Sequence, residues 1–151
     1  MKEEFSTSER RRFRRARVSL TVIYRVNEPL TTRMLTADKE IKATIVDLSE
    51  DGMAIITDYP IAASTILLIR FTLFKVDKDD VCFYGPVEIT GEVRYNIPLD
   101  TDLYRLGIHF TQIEERDRQE IASFVRVVMS NSGRFGSGDL KQQMPPSDRE
   151  A

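Results

Sequence analysis

Between Val18 and Phe110 the chain returns again and again to short runs of alternating apolar and polar residues, cut by clusters of Asp, Asn, Gly and Pro. This pattern restricts the fold more than any other feature. Val18, Leu20, Val22 and Tyr24 alternate with Ser19, Thr21, Ile23 and Arg25, the period of a half-buried strand. Asn27-Glu28-Pro29 breaks that strand, and the stretch to Lys39 shows no clear period and reads as a connection. A second strand is expected over residues 40–48. Glu50-Asp51-Gly52 then supplies turn chemistry, and the apolar run of residues 53–57 returns antiparallel as a hairpin. Residues 64–73, 81–84 and 87–95 are further extended runs, the last two interrupted by Gly85-Pro86, where a bulge or edge break is expected. Tyr104, Leu106, Ile108 and Phe110 alternate with Arg105, Gly107, His109 and Thr111 as the last strand.

The period then changes. Ile121, Phe124, Val125 and Val128 stand at i, i+3, i+4 and i+7, the stripe of a helix that buries one face. Thr111 and Glu114 have capping-box spacing, with Asp117 as the cap of a shorter alternative. Asn131-Ser132-Gly133 reads as the stop, and residues 131–151 as a disordered tail, because their Gly, Ser, Gln, Pro and charge bury too little to offset ordering. Six or so short strands followed by one helix predict a mainly β chain: an antiparallel barrel or sandwich with a C-terminal helix packed at one end. The barrel is preferred because closure removes exposed edges.

At 151 residues one core is the default. No run approaches the roughly 18 apolar residues of a membrane span, and no signal-peptide pattern opens the chain, so a cytoplasmic protein without a membrane span is expected. A single cysteine, Cys82, excludes an internal disulfide, and a single histidine, His109, excludes a histidine-rich metal site and leaves Cys-His or Ser-His catalysis poorly supported. No cofactor or metal is expected, and no enzyme. The net charge of −2 argues against a general nucleic-acid binder.

Against that mildly acidic background, six arginines occupy the eight positions from Arg10 to Arg17. Arginine's planar fork suits phosphates and guanine edges, so the arm implies an anionic partner. Residues 1–8 ahead of it are small, polar and charged and read as a flexible end. The second feature is Asp47-Leu48-Ser49-Glu50-Asp51-Gly52, an Asp-x-Ser-x-x-Gly pattern on a hairpin turn. Alone it needs no ligand, since Asp and Ser bond their own backbone in such turns and Gly supplies a positive φ. Its company changes that reading: Arg11-Arg12-Phe13-Arg14-Arg15, an Arg-x-x-x-Arg, enters the first strand of the same sheet about 30 residues upstream.

Together these two motifs resemble the PilZ family of bacterial cyclic di-GMP receptors. Gly91-Glu92-Val93-Arg94-Tyr95 and Tyr104-Arg105-Leu106-Gly107-Ile108-His109-Phe110 are also similar to the family's later strands, so the likeness covers residues 9–129 within an expected domain of residues 9–130. The resemblance implies a six-stranded antiparallel β-barrel with a C-terminal α-helix, in agreement with the order of elements above. It implies a non-enzymatic second-messenger receptor, acting in motility or biofilm regulation through a protein effector. Arg11, Arg15, Asp47, Ser49 and Gly52 match the ligand-binding positions. Arg10 matches a position that bears on ligand stoichiometry, where arginine accompanies an intercalated ligand dimer. Tyr95 matches a position where some members place an aromatic near the guanine, against the alternative of an inward-facing barrel tyrosine.

The residue types fit such a ligand. Guanine O6 and N7 are adjacent acceptors that an arginine fork meets bidentately, and its N1 and N2 donors need an acceptor such as Asp47. Ser49 can bond a phosphate or guanine, and Gly52 leaves backbone room for the ligand. The arm is expected to order when the ligand neutralises it. His109 and Cys82 read as solvated or packed strand residues, and Arg12, Arg14 and Arg17 as electrostatic background. Two other readings stay open: a generic polyanion module for nucleic acid or anionic membrane, which leaves the Asp-x-Ser-x-x-Gly turn unexplained, and a ligand-independent interaction module of the same fold.

Overall fold

The computed structural model describes residues 13–143. Arg10, Arg11 and Arg12, with the flexible end expected over residues 1–8, lie outside that range, as does the part of the expected 131–151 tail from residue 144 onward. Strands β1 (Ala16–Glu28), β2 (Ile41–Leu48), β3 (Gly52–Thr57), β4 (Ile66–Asp77), β5 (Asp80–Pro98) and β6 (Tyr104–Gln112) close into an antiparallel barrel in the order β1-β2-β3-β6-β5-β4. Helix α1 (Leu30–Leu35) lies in the β1–β2 connection, and helix α2 (Glu115–Gln143) follows β6. Six residues make too short a helix to show a period, which is why α1 reads as a plain connection in the sequence.

The alternation that marks the strands is the alternation of burial. Val22, Tyr24 and Val26 of β1 are buried, as are Ile45 and Leu48 of β2, Met53 and Ile55 of β3, Leu67, Ile69 and Phe71 of β4, and Leu106, Ile108 and Phe110 of β6. Each such side chain contributes about 1.5–3 kcal/mol when withdrawn from water. Ile121, Phe124 and Val125 of α2 join the same core, as their spacing predicts. Inside the barrel, the Tyr24 hydroxyl and the Thr57 hydroxyl are 2.7 Å apart, tying β1 to β3.

Two boundaries differ from the sequence reading. The runs on either side of Gly85-Pro86 are one strand, β5, with the interruption absorbed as the expected bulge, where Gly85 and Pro86 of β5 face Thr72 of β4. Helix α2 continues past Asn131-Ser132-Gly133 to Gln143, the last described residue, so residues 131–143 are helical where a disordered tail was expected. Gly, Ser and Asn weaken a helix by about 1 kcal/mol or less each without breaking it.

Beyond Phe71 of β4 and before Thr90 of β5, the two strands pair only with each other, a hairpin whose base still packs Leu73, Val87 and Ile89 into the core. Helix α2 is fastened to this hairpin. Tyr84 donates to Asp117 at 2.7 Å, Lys75 pairs with Glu120 at 2.8 Å, and the rings of Phe74 and Phe124 meet edge to face at 5.4 Å.

Candidate ligand site on the barrel wall

Strict alternation from Ile45 would turn Asp47 into the core. Between Ile45 and Asp47 the pairing of β2 with β3 slips by one residue, so Ile45 still faces Ile55 inside while Asp47 faces Ala54. The bulge at Val46 thus re-aims the carboxylate onto the outer wall. The same device recurs on β5. Val93 pairs with the buried Ile108, the register slips at Arg94, and Tyr95 then pairs with Gly107. Of the two alternatives for Tyr95, the inward-facing tyrosine is the one that fails: its side chain is exposed on the outer face. Arg17, Asp47, Ala54, Gly107 and Tyr95 are consecutive cross-strand partners over β1, β2, β3, β6 and β5. Ala54 and Gly107 have the smallest side chains available, and the Tyr95 ring lies where a Cβ on Gly107 would have to go.

Two guanidinium groups converge on the carboxylate. Arg15 Nη1 and Arg105 Nη2 each stand 3.6 Å from Oδ2 of Asp47, the first at the entry to β1 and the second on β6. Asp47 is 16% exposed, and the arginines are 28% and 34% exposed, so the cluster is partly sheltered yet open to a guest. Two cations against one anion leave a net positive charge. At 3.6 Å the contacts are ion pairs beyond hydrogen-bond reach, so both forks keep unused donors.

The turn that follows is built differently from the sequence expectation. Ser49 is fully buried, and its hydroxyl donates to Asp51 Oδ1 at 2.7 Å while its backbone N–H donates to the Gly52 carbonyl at 2.9 Å. Its hydroxyl is therefore occupied within the turn. Gly52 does not have a positive φ, and the space a side chain would need is taken by the Ile108 carbonyl of β6, not left for a ligand. Asp51 accepts from Phe110 N–H at 2.9 Å, and the Glu50 carbonyl accepts from Arg118 Nη1 at 3.1 Å. Ser49 and Gly52 thus shape the hairpin that carries Asp47.

Of the expected site residues, the structure brings Arg15 and Asp47 together and sets Tyr95 on the same wall, while Arg10 and Arg11 fall outside the described residues. Arg105 and Arg118 are additions. In sequence each is one charge at a solvent-facing position, and only the β3–β6 register and the helix placement bring them to the motif. His109 is half-buried opposite Gly52 on the outer face, and Cys82 is exposed. Arg14 lines a groove with Arg126, Val127, Met129 and Ser130 of α2. Among the described residues no group of His, Cys, Asp or Glu is placed to hold a metal ion, and no helix is long and apolar enough to cross a membrane.

A closed six-stranded antiparallel barrel with an arginine–carboxylate cluster on its outer wall and a helix after the last strand defines a recognisable class. The chain belongs to the PilZ domain family, whose model matches residues 9–126. Similar solved structures agree on the fold. The inhibitor of motility MotI/DgrA of Bacillus subtilis superposes with a TM-score of 0.62 at 16% identity, over 81% of this chain and 52% of that one. The PilZ domain of YcgR from Escherichia coli with c-di-GMP gives 0.52 at 11% identity, over 82% and 94%. The K. pneumonia MrkH–c-di-GMP complex gives 0.53 at 16% identity, over 83% and 53%. The chain spans about half the length of MotI/DgrA and of MrkH. Comparison with curated protein sequences gave no match.

Proposed function

We propose that this chain is a non-enzymatic receptor that binds cyclic di-GMP on the outer barrel wall and passes its state to a protein partner in the cytoplasm. The observation that carries the reading is the meeting of Arg15 and Arg105 on Asp47, at the junction of the Arg-x-x-x-Arg and Asp-x-Ser-x-x-Gly motifs. Family membership and the two c-di-GMP-bound PilZ neighbours support the choice of ligand. In the bound state Asp47 accepts from guanine N1 and N2. Arg15 and Arg105 turn their free donors to O6, N7 or a phosphodiester oxygen. Arg10 and Arg11 bring further charge from the arm, Tyr95 offers a face for stacking, and Ser49 and Gly52 hold the hairpin in shape. Charged hydrogen bonds of about 1.5–3 kcal/mol each make micromolar affinity, about 8 kcal/mol, attainable after ordering costs.

Titration calorimetry with cyclic di-GMP tests this. Wild type binds in the micromolar range, and Arg15→Ala or Asp47→Ala weakens binding about tenfold or more. The stoichiometry reads the part assigned to Arg10: two ligands per chain for an intercalated dimer, falling toward one in Arg10→Ala. An absence of heat from wild type at high micromolar ligand would sink the proposal.

A further inference from the structure

The bond from Arg118 to the Glu50 carbonyl joins the ligand-site turn to the helix. Three carbonyls of that turn are satisfied by three different sources. Gly52 accepts from Ser49 within the turn, Asp51 accepts from Phe110 of β6, and Glu50 accepts from Arg118 in the first turns of α2. The Arg118 side chain is steadied from behind by Glu115 Oε1, 3.7 Å from its Nε. The docking of α2 does not depend on it, because Tyr84–Asp117, Lys75–Glu120 and Phe74–Phe124 hold the helix to the β4–β5 hairpin. A side chain that is redundant for docking yet bonded to the turn beside Asp47 is suited to carry a displacement from one to the other.

Resting on the ligand reading above, we propose that Arg118 is a positioning residue that couples the Asp47–Gly52 turn to α2. Ligand contact at Asp47 and Arg15 shifts the turn, the Glu50 carbonyl moves with it, and Arg118 draws the start of the helix along. The coupling is reciprocal: whatever displaces α2 changes ligand affinity by the same factor that ligand changes the displacement.

Hydrogen exchange read at the amides of residues 115–121 tests this in two ways. Without ligand, Ser49→Ala loosens the turn and speeds exchange in the helix start of the otherwise wild-type chain, and no longer does so when Arg118→Gln is also present. This arm stands or falls independently of cyclic di-GMP. With cyclic di-GMP, the wild-type helix start changes its exchange on binding. Arg118→Gln still binds, about fivefold more weakly, with that response lost. Arg118→Lys, which keeps the reach and the charge that the shorter, neutral glutamine amide lacks, restores part of it. Tyr84→Phe serves as the docking control: it loosens the helix but keeps the response. An Arg118→Gln chain that responds like wild type, or a Tyr84→Phe chain that loses the response as completely, overturns the coupling role. Failure of wild type to bind cyclic di-GMP, with the ligand-free arm intact, overturns the ligand and leaves the coupling standing.

Discussion

A methyl group added at Gly52 would overlap the Ile108 carbonyl oxygen, and backbone cannot swing aside as a flexible side chain does. Gly52→Ala must therefore part β3 from β6 or shift the turn, costing about 1–3 kcal/mol. A urea titration should show the loss as a lower midpoint, with cyclic di-GMP binding weakened alongside because Asp47 rides on the same hairpin. The requirement for glycine was legible in the sequence, but its reason was not. A motif glycine next to a candidate site invites the idea of room for a ligand, whereas here the occupant is the neighbouring strand. Ser49 makes the same point, since its buried hydroxyl closes the turn on Asp51. Asp47 and Arg15 were readable as candidates because each sits in a spaced motif. Arg105 had no such mark, being one of several outward charges along alternating strands, and only the register sets it against Asp47.

Strands were the most readable elements because each buries one side, and a period of two leaves that side in plain sight. The bulge at Gly85-Pro86 was marked by its residues, but those at Val46 and Arg94 were not, since one extra residue has no compositional sign, yet they decide which wall Asp47 and Tyr95 occupy. Helix α2 was found by its stripe and misjudged at its end, because helix-weakening residues were read as a stop. The link between β1 and β3 gives a pH test. Burial pushes the Tyr24 phenol from 10.0 up to about 12, with Tyr59 and Asp58 adding to the rise and the Thr57 hydrogen bond opposing it. The folded value lies above the unfolded one, so the neutral phenol's contribution is complete below pH 10 and is lost as pH climbs toward 12. That loss is about 2–3 kcal/mol across the window. Stability measured by urea at pH 8 to 12 should fall less steeply for Tyr24→Phe than for wild type. At pH 8 the variant should be weaker by about 1 kcal/mol for the missing hydrogen bond.

At the scale of the whole molecule the charge is divided. The arm is strongly basic and the rest of the chain acidic, for a net charge of −2. A generic polyanion binder would spread cations over a face, whereas here Asp47 stands between Arg15 and Arg105 and repels any phosphate that brings no donor to satisfy it. Linear RNA at equal nucleotide concentration should therefore displace little cyclic di-GMP in a competition titration. Equal displacement would favour the basic-arm reading. The barrel as a whole was legible from the count and brevity of the strands, while its closure order, which brings β3 beside β6, is a long-range fact that no local pattern carries.

Closure has one further consequence. Around the barrel every strand has a neighbour on each side, but the β4–β5 hairpin that carries α2 runs on past the flanking strands. Its outer rims pair with no further strand among the described residues. Val81 and Phe83 are exposed there, with Lys78, Asp79 and Asp80 crowding the tip. Those charges keep a second chain from laying its own strand along the rim. Resistance to fibre-like stacking is thus concentrated in a few tip residues, and neutralising them would give copies of this protein a place to join end to end.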